Sequence, residues 1–297
     1  MPSLASIGDA AAVDNRYADR VIVYVEGDGD QKLFSRIVTS DVRAQLEFKV
    51  PNTAGGGCRV VMDRVAAERP TNPKVYGLLD GETAAVLGAI DALLDAQPHL
   101  FQVANNPAAD GLIFLSAHEL ENVVLLHGDV CDLVAKNTAL AKMGAVSTAD
   151  VAKTLRKLAV RFFMAALMKY ASVHVGRSVA DPVLIPGGHF VDGKRSALSL
   201  LREMRAKVIA AGGNWAAYRV EMHRILAQLK AQFGALGLNS DARSRELLRL
   251  ADGKNLLSGL RQAHGHTPQD GLLADALTRP PYAEEFTTQL MALTNAA

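Results

Sequence analysis

The chain has 297 residues, is 49% hydrophobic and 5% aromatic, and carries 32 Lys+Arg against 31 Asp+Glu. That length and composition support a folded core of one large or two modest domains and argue against disorder. No apolar run reaches the roughly 18 residues that cross a bilayer, the first twenty residues lack a signal-peptide pattern, and Cys58 and Cys131 are too few for a disulfide framework or a cysteine-rich zinc site. A cytoplasmic protein without a membrane partner is expected. The charge is uneven: residues 1–150 hold 12 Lys+Arg and 20 Asp+Glu, net −8, whereas residues 151–297 hold 20 and 11, net +9.

In chain order, a polar lead-in gives way to Arg20–Val25, a β-branched run that reads as a buried strand. Gln31–Val38 reads as a helix and Leu46–Val50 as a second strand. A glycine-rich loop over Pro51–Gly57 precedes a helix at Cys58–Arg69, stopped by Pro70. Lys74–Leu79 is the third strand, Ala84–Ala96 a helix, and Gly111–Leu115 a further strand. Alternation of strand and helix predicts an α/β layer with a mainly parallel sheet and flanking helices. Strand signals stop near residue 117. Val151–Val175 has helical period, with Ser147 and Asp150 spaced as a capping box. A Gly/Pro-rich break over Pro182–Gly193 separates it from helices at Lys194–Ala211, Ala216–Leu236, Asn239–Leu250, Leu256–Ala263 and Tyr282–Leu293. The division expected is an α/β core over 1–130 and a mostly helical, basic part over 131–297, which returns to the core near 250–297.

Three acidic clusters follow predicted strands: Glu26-Gly-Asp-Gly-Asp30, Asp80-Gly-Glu82 and His118-Glu-Leu-Glu121-Asn122. Ligands of an open parallel sheet bind beyond the carboxyl ends of its strands, and neighbouring strands lie about 4.8 Å apart. Carboxylates brought that close repel unless a cation neutralises them, and hard oxygen donors favour Mg²⁺ or Mn²⁺. In the basic half, Lys153, Arg156, Lys157 and Arg161 share one helical face by their spacing, and Arg249 adds to the positive charge. Such a surface attracts a phosphate backbone, while the lack of stacking motifs leaves sequence-specific base reading unsupported.

A strand ending in Glu-Gly-x-x-Asp followed by a later strand ending in Asp-x-Glu resembles a TOPRIM domain. More narrowly, Glu121-Asn122 with the Val-Val-Leu-Leu run after it, and Gly253-Lys254 before a leucine pair, resemble the TOPRIM-like family that includes the AriB effector of the PARIS anti-phage system. The OLD-family nucleases are more distant relatives of that pattern. The resemblance covers roughly residues 20–125, and 252–260 more loosely; Glu82 departs from it, because such nucleases often have Asp there. It implies Glu26 as the essential carboxylate, linked to metal, with Asp30 in support. It implies Asp80, Glu82 and Glu121 as further metal ligands, and Lys254 as a catalytic group that touches a phosphate or stabilises developing charge. It also implies a Mg²⁺-dependent endonuclease acting on RNA, such as tRNA, or on DNA. That enzyme would be a toxic effector of phage defence, controlled by a separate ATPase of the OLD/ABC type and dimeric when active. A non-catalytic regulatory or scaffold subunit is the alternative. A haloacid-dehalogenase-like phosphatase is a minor one, from Asp80-Gly-Glu-Thr83. His118-Glu-Leu-Glu-Asn122 lacks the second histidine of a zincin helix, and no P-loop is present.

Overall fold

The computed structural model describes residues 20–52, 57–95, 99–141, 146–175, 197–210, 212–237, 239–265 and 270–295. The glycine-rich break expected over 182–193 lies outside them. In chain order the elements begin with β1 (Val21–Tyr24), α1 (Asp28–Ile37), β2 (Leu46–Lys49), α2 (Cys58–Glu68) and β3 (Val75–Leu79). Then come α3 (Glu82–Val86), α4 (Ile90–Asp95), β4 (Leu100–Phe101), β5 (Leu112–Leu115), α5 (Leu120–His127) and α6 (Val130–Ala141). The remainder is α7 (Thr148–Val175), α8 (Ala197–Ala210), α9 (Trp215–Ala235), α10 (Ser240–Leu250), α11 (Gly253–His264), α12 (Asp270–Leu277) and α13 (Tyr282–Asn295). Among the described residues no strand follows β5, and no helix is long and apolar enough to cross a membrane.

Two compact units emerge, and the boundary is not a single cut near residue 130. Unit 1 comprises residues 1–79, 97–115 and 278–297; unit 2 comprises 80–96 and 116–277. The chain leaves unit 1 directly after β3 and again after β5. α13 belongs to unit 1 because its apolar face packs on the other side chains of that unit.

Unit 1 is an α/β layer. Its five strands run in the order β2-β1-β3-β5-β4, with every pair parallel except β4 against β5. The three central strands are buried along their whole length, as near-continuous apolar runs in parallel sheets require. Two-residue β4 is too short to leave a period in the sequence. Phe34 of α1 stacks on Phe48 of β2 and on Phe286 of α13, with ring centroids 5.9 and 5.6 Å apart. The hydroxyl of Tyr76, in β3, donates to the Thr294 carbonyl at 2.9 Å, which ties the last turn of α13 to the sheet. Gly77 is required by close packing: a Cβ there would lie 2.9 Å from Val61 Cγ1 of α2.

Unit 2 is helical. α7 runs through it and buries Phe162, Leu167, Met168 and Tyr170. Its start is a reciprocal cap, with Ser147 Oγ accepting from Asp150 N at 3.1 Å and Asp150 Oδ2 accepting from Ser147 N at 3.2 Å. α11 approaches closely at Gly259, where a Cβ would meet Leu158 and Phe162 at 3.1 Å. The helix expected over Ala84–Ala96 is two short ones, α3 and α4. They are separated at Gly88, whose φ of 75° lies in the left-handed region that glycine tolerates. α5, α6 and α12 had no periodicity that marked them in advance.

Candidate metal centre

The candidate site lies within unit 2 and is assembled from three stretches of chain: residues 80–82, 116–122 and 248–254, with α7 alongside. The segments that follow β3 and β5 stay paired, Gly81 N donating to Ala117 O and Glu82 N to His118 O, both at 3.0 Å. This pairing brings the Glu82 and His118 side chains together. Ligand atoms of Glu82, His118 and Glu119 all lie within 4.8 Å of one another.

His118 is fully buried. Its Nδ1 lies 2.5 Å from the Tyr170 hydroxyl, which lies 3.2 Å from the Leu250 carbonyl oxygen. A hydroxyl has one hydrogen and a carbonyl only accepts. Both contacts are hydrogen bonds when Tyr170 donates to Leu250 and accepts from Nδ1–H. His118 Nε2 has no hydrogen-bond partner and lies 3.3 Å from Glu82 Oε2. Burial lowers the proton affinity of the imidazole, against the pull of Glu82 and Glu119. Burial also raises the Tyr170 hydroxyl well above its ordinary value, so it remains protonated.

Glu119 is the N-cap of α5 and closes a capping box with Asn122, whose Oδ1 accepts from Glu119 N at 2.9 Å. The Glu119 Oε2 accepts Gly253 N at 3.0 Å and Lys254 N at 3.1 Å, and so sits at the start of α11. Asn122 Nδ2 donates to the carbonyls of Leu248 and Ala251 at 2.6 and 2.8 Å. Gly253 is fixed by this approach, since a Cβ would fall 2.6 Å from Asn122 Oδ1. Two ammonium groups face the carboxylates. Lys169 Nζ is ion-paired with Glu82, and Lys254 Nζ lies 3.3 Å from Glu119 Oε1. Partial burial opposes the charge on Lys254, but Glu119, Glu121 and Asp80 outweigh it and hold the ammonium above its ordinary value. Lys169 is raised in the same way, with Glu82 the main opponent of burial.

The residues expected from the sequence fall as follows. Glu82 is in the triad. Asp80 is beside it, its Oδ1 accepting from Leu120 N at 3.0 Å. Glu121 acts electrostatically on Lys254. Glu119 and His118, not named in advance as ligands, complete the cluster; the signal for Glu119 was the Glu-x-x-Asn spacing of a capping box. Glu26 lies two residues beyond β1, and Asp30 is in the first turn of α1; both belong to unit 1 and are partly exposed. On α7, Lys153, Arg156 and Lys157 are exposed and Arg161 partly so, with Arg156 paired to Asp241 at 3.0 Å.

Arg249 is a correction. Its side chain is only 7% exposed, and its guanidinium donates to the carbonyls of Leu93, Ser116 and Leu94 at 2.9, 2.6 and 3.0 Å and to Glu246 at 2.8 Å. It caps the last turn of α4 from inside unit 2 and presents no surface to a nucleic acid. No protein-family model and no curated protein matches the chain.

Proposed function

We propose that the protein is a metal-dependent nuclease of TOPRIM type that hydrolyses phosphodiester bonds of RNA or DNA. The observation that carries this reading is the convergence of Glu82, His118 and Glu119, with Asp80 adjacent, on segments that directly follow two neighbouring parallel strands. The donor set fits a divalent ion: two carboxylates and a buried imidazole nitrogen without a hydrogen bond. A bound Mg²⁺ or Mn²⁺ would supply charge neutralisation at phosphorus and a more acidic water.

The chain's own residues provide the rest. Glu82, His118 and Glu119 would hold the ion, and Tyr170 keeps the imidazole oriented. Lys254, whose side chain is 66% exposed, presents a charged ammonium where a phosphate oxygen would arrive. Lys153, Lys157 and Arg161 supply positive charge along α7 for a polyanion. Glu26 and Asp30 enter on the resemblance to the TOPRIM-like family, which also motivates the proposed setting. That setting is an effector of phage defence in the cytoplasm, controlled by a separate ATPase of the OLD/ABC type and dimeric when active.

The test is cleavage of plasmid, single-stranded DNA, total tRNA and ribosomal RNA with Mg²⁺, Mn²⁺ or EDTA. The wild type should cut at least one substrate only with metal, and Glu82→Gln and Glu26→Gln should not. Full activity in Glu82→Gln, or cutting undiminished by EDTA, contradicts the assignment.

One observation favours a second reading. Each triad carboxylate already faces a lysine, Lys169 on Glu82 and Lys254 on Glu119. A regulatory or scaffold subunit would use such a neutralised network for structure alone. It would show no rise in melting temperature with Mg²⁺ or Mn²⁺, whereas a metal centre gains stability with ion concentration.

A further inference from the structure

The carboxylate pattern of the sequence points to a hard-cation site made of oxygens. The structure places something different at the centre of the cluster. We infer that Glu82, His118 and Glu119 bind a single ion of the borderline class, Mn²⁺ or Zn²⁺, through direct coordination by His118 Nε2. This inference rests on reading the cluster as a metal centre and adds the ring nitrogen that binds and the class of the ion.

Three observations carry it. His118 is fully buried, its Nε2 lacks a hydrogen bond and lies 3.3 Å from Glu82 Oε2, and Glu119 brings a second carboxylate into the same cluster. A buried ring nitrogen left without a hydrogen bond costs free energy, so its position beside the Glu82 carboxylate calls for a ligand. The Nδ1 edge is committed to the Tyr170 hydroxyl at 2.5 Å, which in turn reaches Leu250 O. A ligating histidine is held in the same way, its other ring N–H donated to a fixed acceptor so that the lone pair points at the metal. Finally, an imidazole with two carboxylates suits Mn²⁺ or Zn²⁺ better than Mg²⁺, which prefers oxygen donors and retains its waters. Lys169 and Lys254 fit as counter-charges that hold the two carboxylates in place.

The experiment uses the full-length wild-type chain loaded with Mn²⁺ and examined by electron spin-echo envelope modulation. One preparation contains natural-abundance histidine and a second contains ¹⁵N-histidine. The expected result is modulation from a directly bound ¹⁴N that changes to the ¹⁵N pattern on labelling. It should disappear in His118→Asn, which assigns it among the eight histidines. In competition, Zn²⁺ should displace Mn²⁺ at a concentration at least about tenfold lower than Mg²⁺ requires. Bound Mn²⁺ without nitrogen modulation overturns the imidazole ligand and leaves an all-oxygen metal centre standing. Modulation that persists in His118→Asn also overturns it. Mn²⁺ that does not bind the wild-type chain at all overturns both this inference and the metal-centre reading beneath it.

Discussion

Unit 1 and unit 2 bury their interiors by different means. In unit 1 the core is apolar: Val23, Ile113 and Phe114 are fully buried, and Phe34, Phe48 and Phe286 stack around the sheet. In unit 2 the helices surround a buried polar network of His118, Glu119, Asn122, Tyr170 and Arg249. Each member but His118 is matched on its polar atoms by backbone or side-chain partners. A matched network rigidifies a core, and within this network the unmatched His118 Nε2 then becomes the informative atom. The apolar layer fixes a fold, whereas the polar interior of unit 2 fixes the positions of its charged groups.

Arg249→Met removes the donor for three backbone carbonyls and should cost about 3–5 kcal/mol, measured by urea denaturation. Lys157→Ala, on an exposed face, should change stability by less than about 0.5 kcal/mol. Equal effects for the two would mean that the buried network contributes little.

Gly77→Ala in unit 1 and Gly253→Ala in unit 2 each force a methyl into occupied space, and each should cost about 1–3 kcal/mol. They should differ in kind. Gly77→Ala crowds Val61, Val65 and Leu112 and should leave metal affinity unchanged, whereas Gly253→Ala presses on Asn122 Oδ1 and Glu121 Cβ and should weaken it. Metal titration of the two purified variants checks this. Identical metal binding in both would separate α11 from the site.

These contrasts also explain what could be read from the sequence. Strands β1, β3 and β5 are apolar runs, so the parallel layer of unit 1 was legible from residues 20–115. The α7 cap was legible because Ser147 and Asp150 are three residues apart. The site was only partly legible. Asp80 and Glu82 follow a strand and invite attention. Glu119 and His118 are held by contacts with Tyr170, Arg249, Gly253 and Lys254, far away in the chain. Arg249 illustrates the opposite error: charge on a helix reads as surface, yet its place against the carbonyls of α4 is set by tertiary packing alone. The antiparallel strand β4 escaped because two residues carry no period, and α3 and α4 read as one helix because the break at Gly88 is set by backbone conformation.

Lys169 offers a smaller effect that bears on the scaffold reading. Its side chain is 41% exposed, so screening limits the pair with Glu82, and Lys169→Met should cost about 1 kcal/mol in EDTA. Added Mn²⁺ should restore that stability by replacing the lost positive charge. A loss that Mn²⁺ does not reverse favours a purely structural ion pair.

The smallest effect at neutral pH belongs to Tyr282 in unit 1. Burial raises its hydroxyl above the ordinary value of about 10, so the folded state holds its proton where the unfolded chain releases it. Stability from this group is complete below pH 10 and declines as pH rises above it. Tyr282→Phe should be nearly neutral at pH 7 and should lessen the alkaline decline in the urea midpoint. An unchanged alkaline limb would remove Tyr282 as a contributor.

The most direct test of the central claim, that the buried cluster of unit 2 is a metal centre, is a titration of Mn²⁺ into wild type and Glu82→Gln, counting free ion by its electron paramagnetic resonance signal. The account predicts one ion taken up by the wild type and its loss in the variant. Mn²⁺ that stays free in the presence of excess wild-type protein, or binds Glu82→Gln equally well, would contradict it.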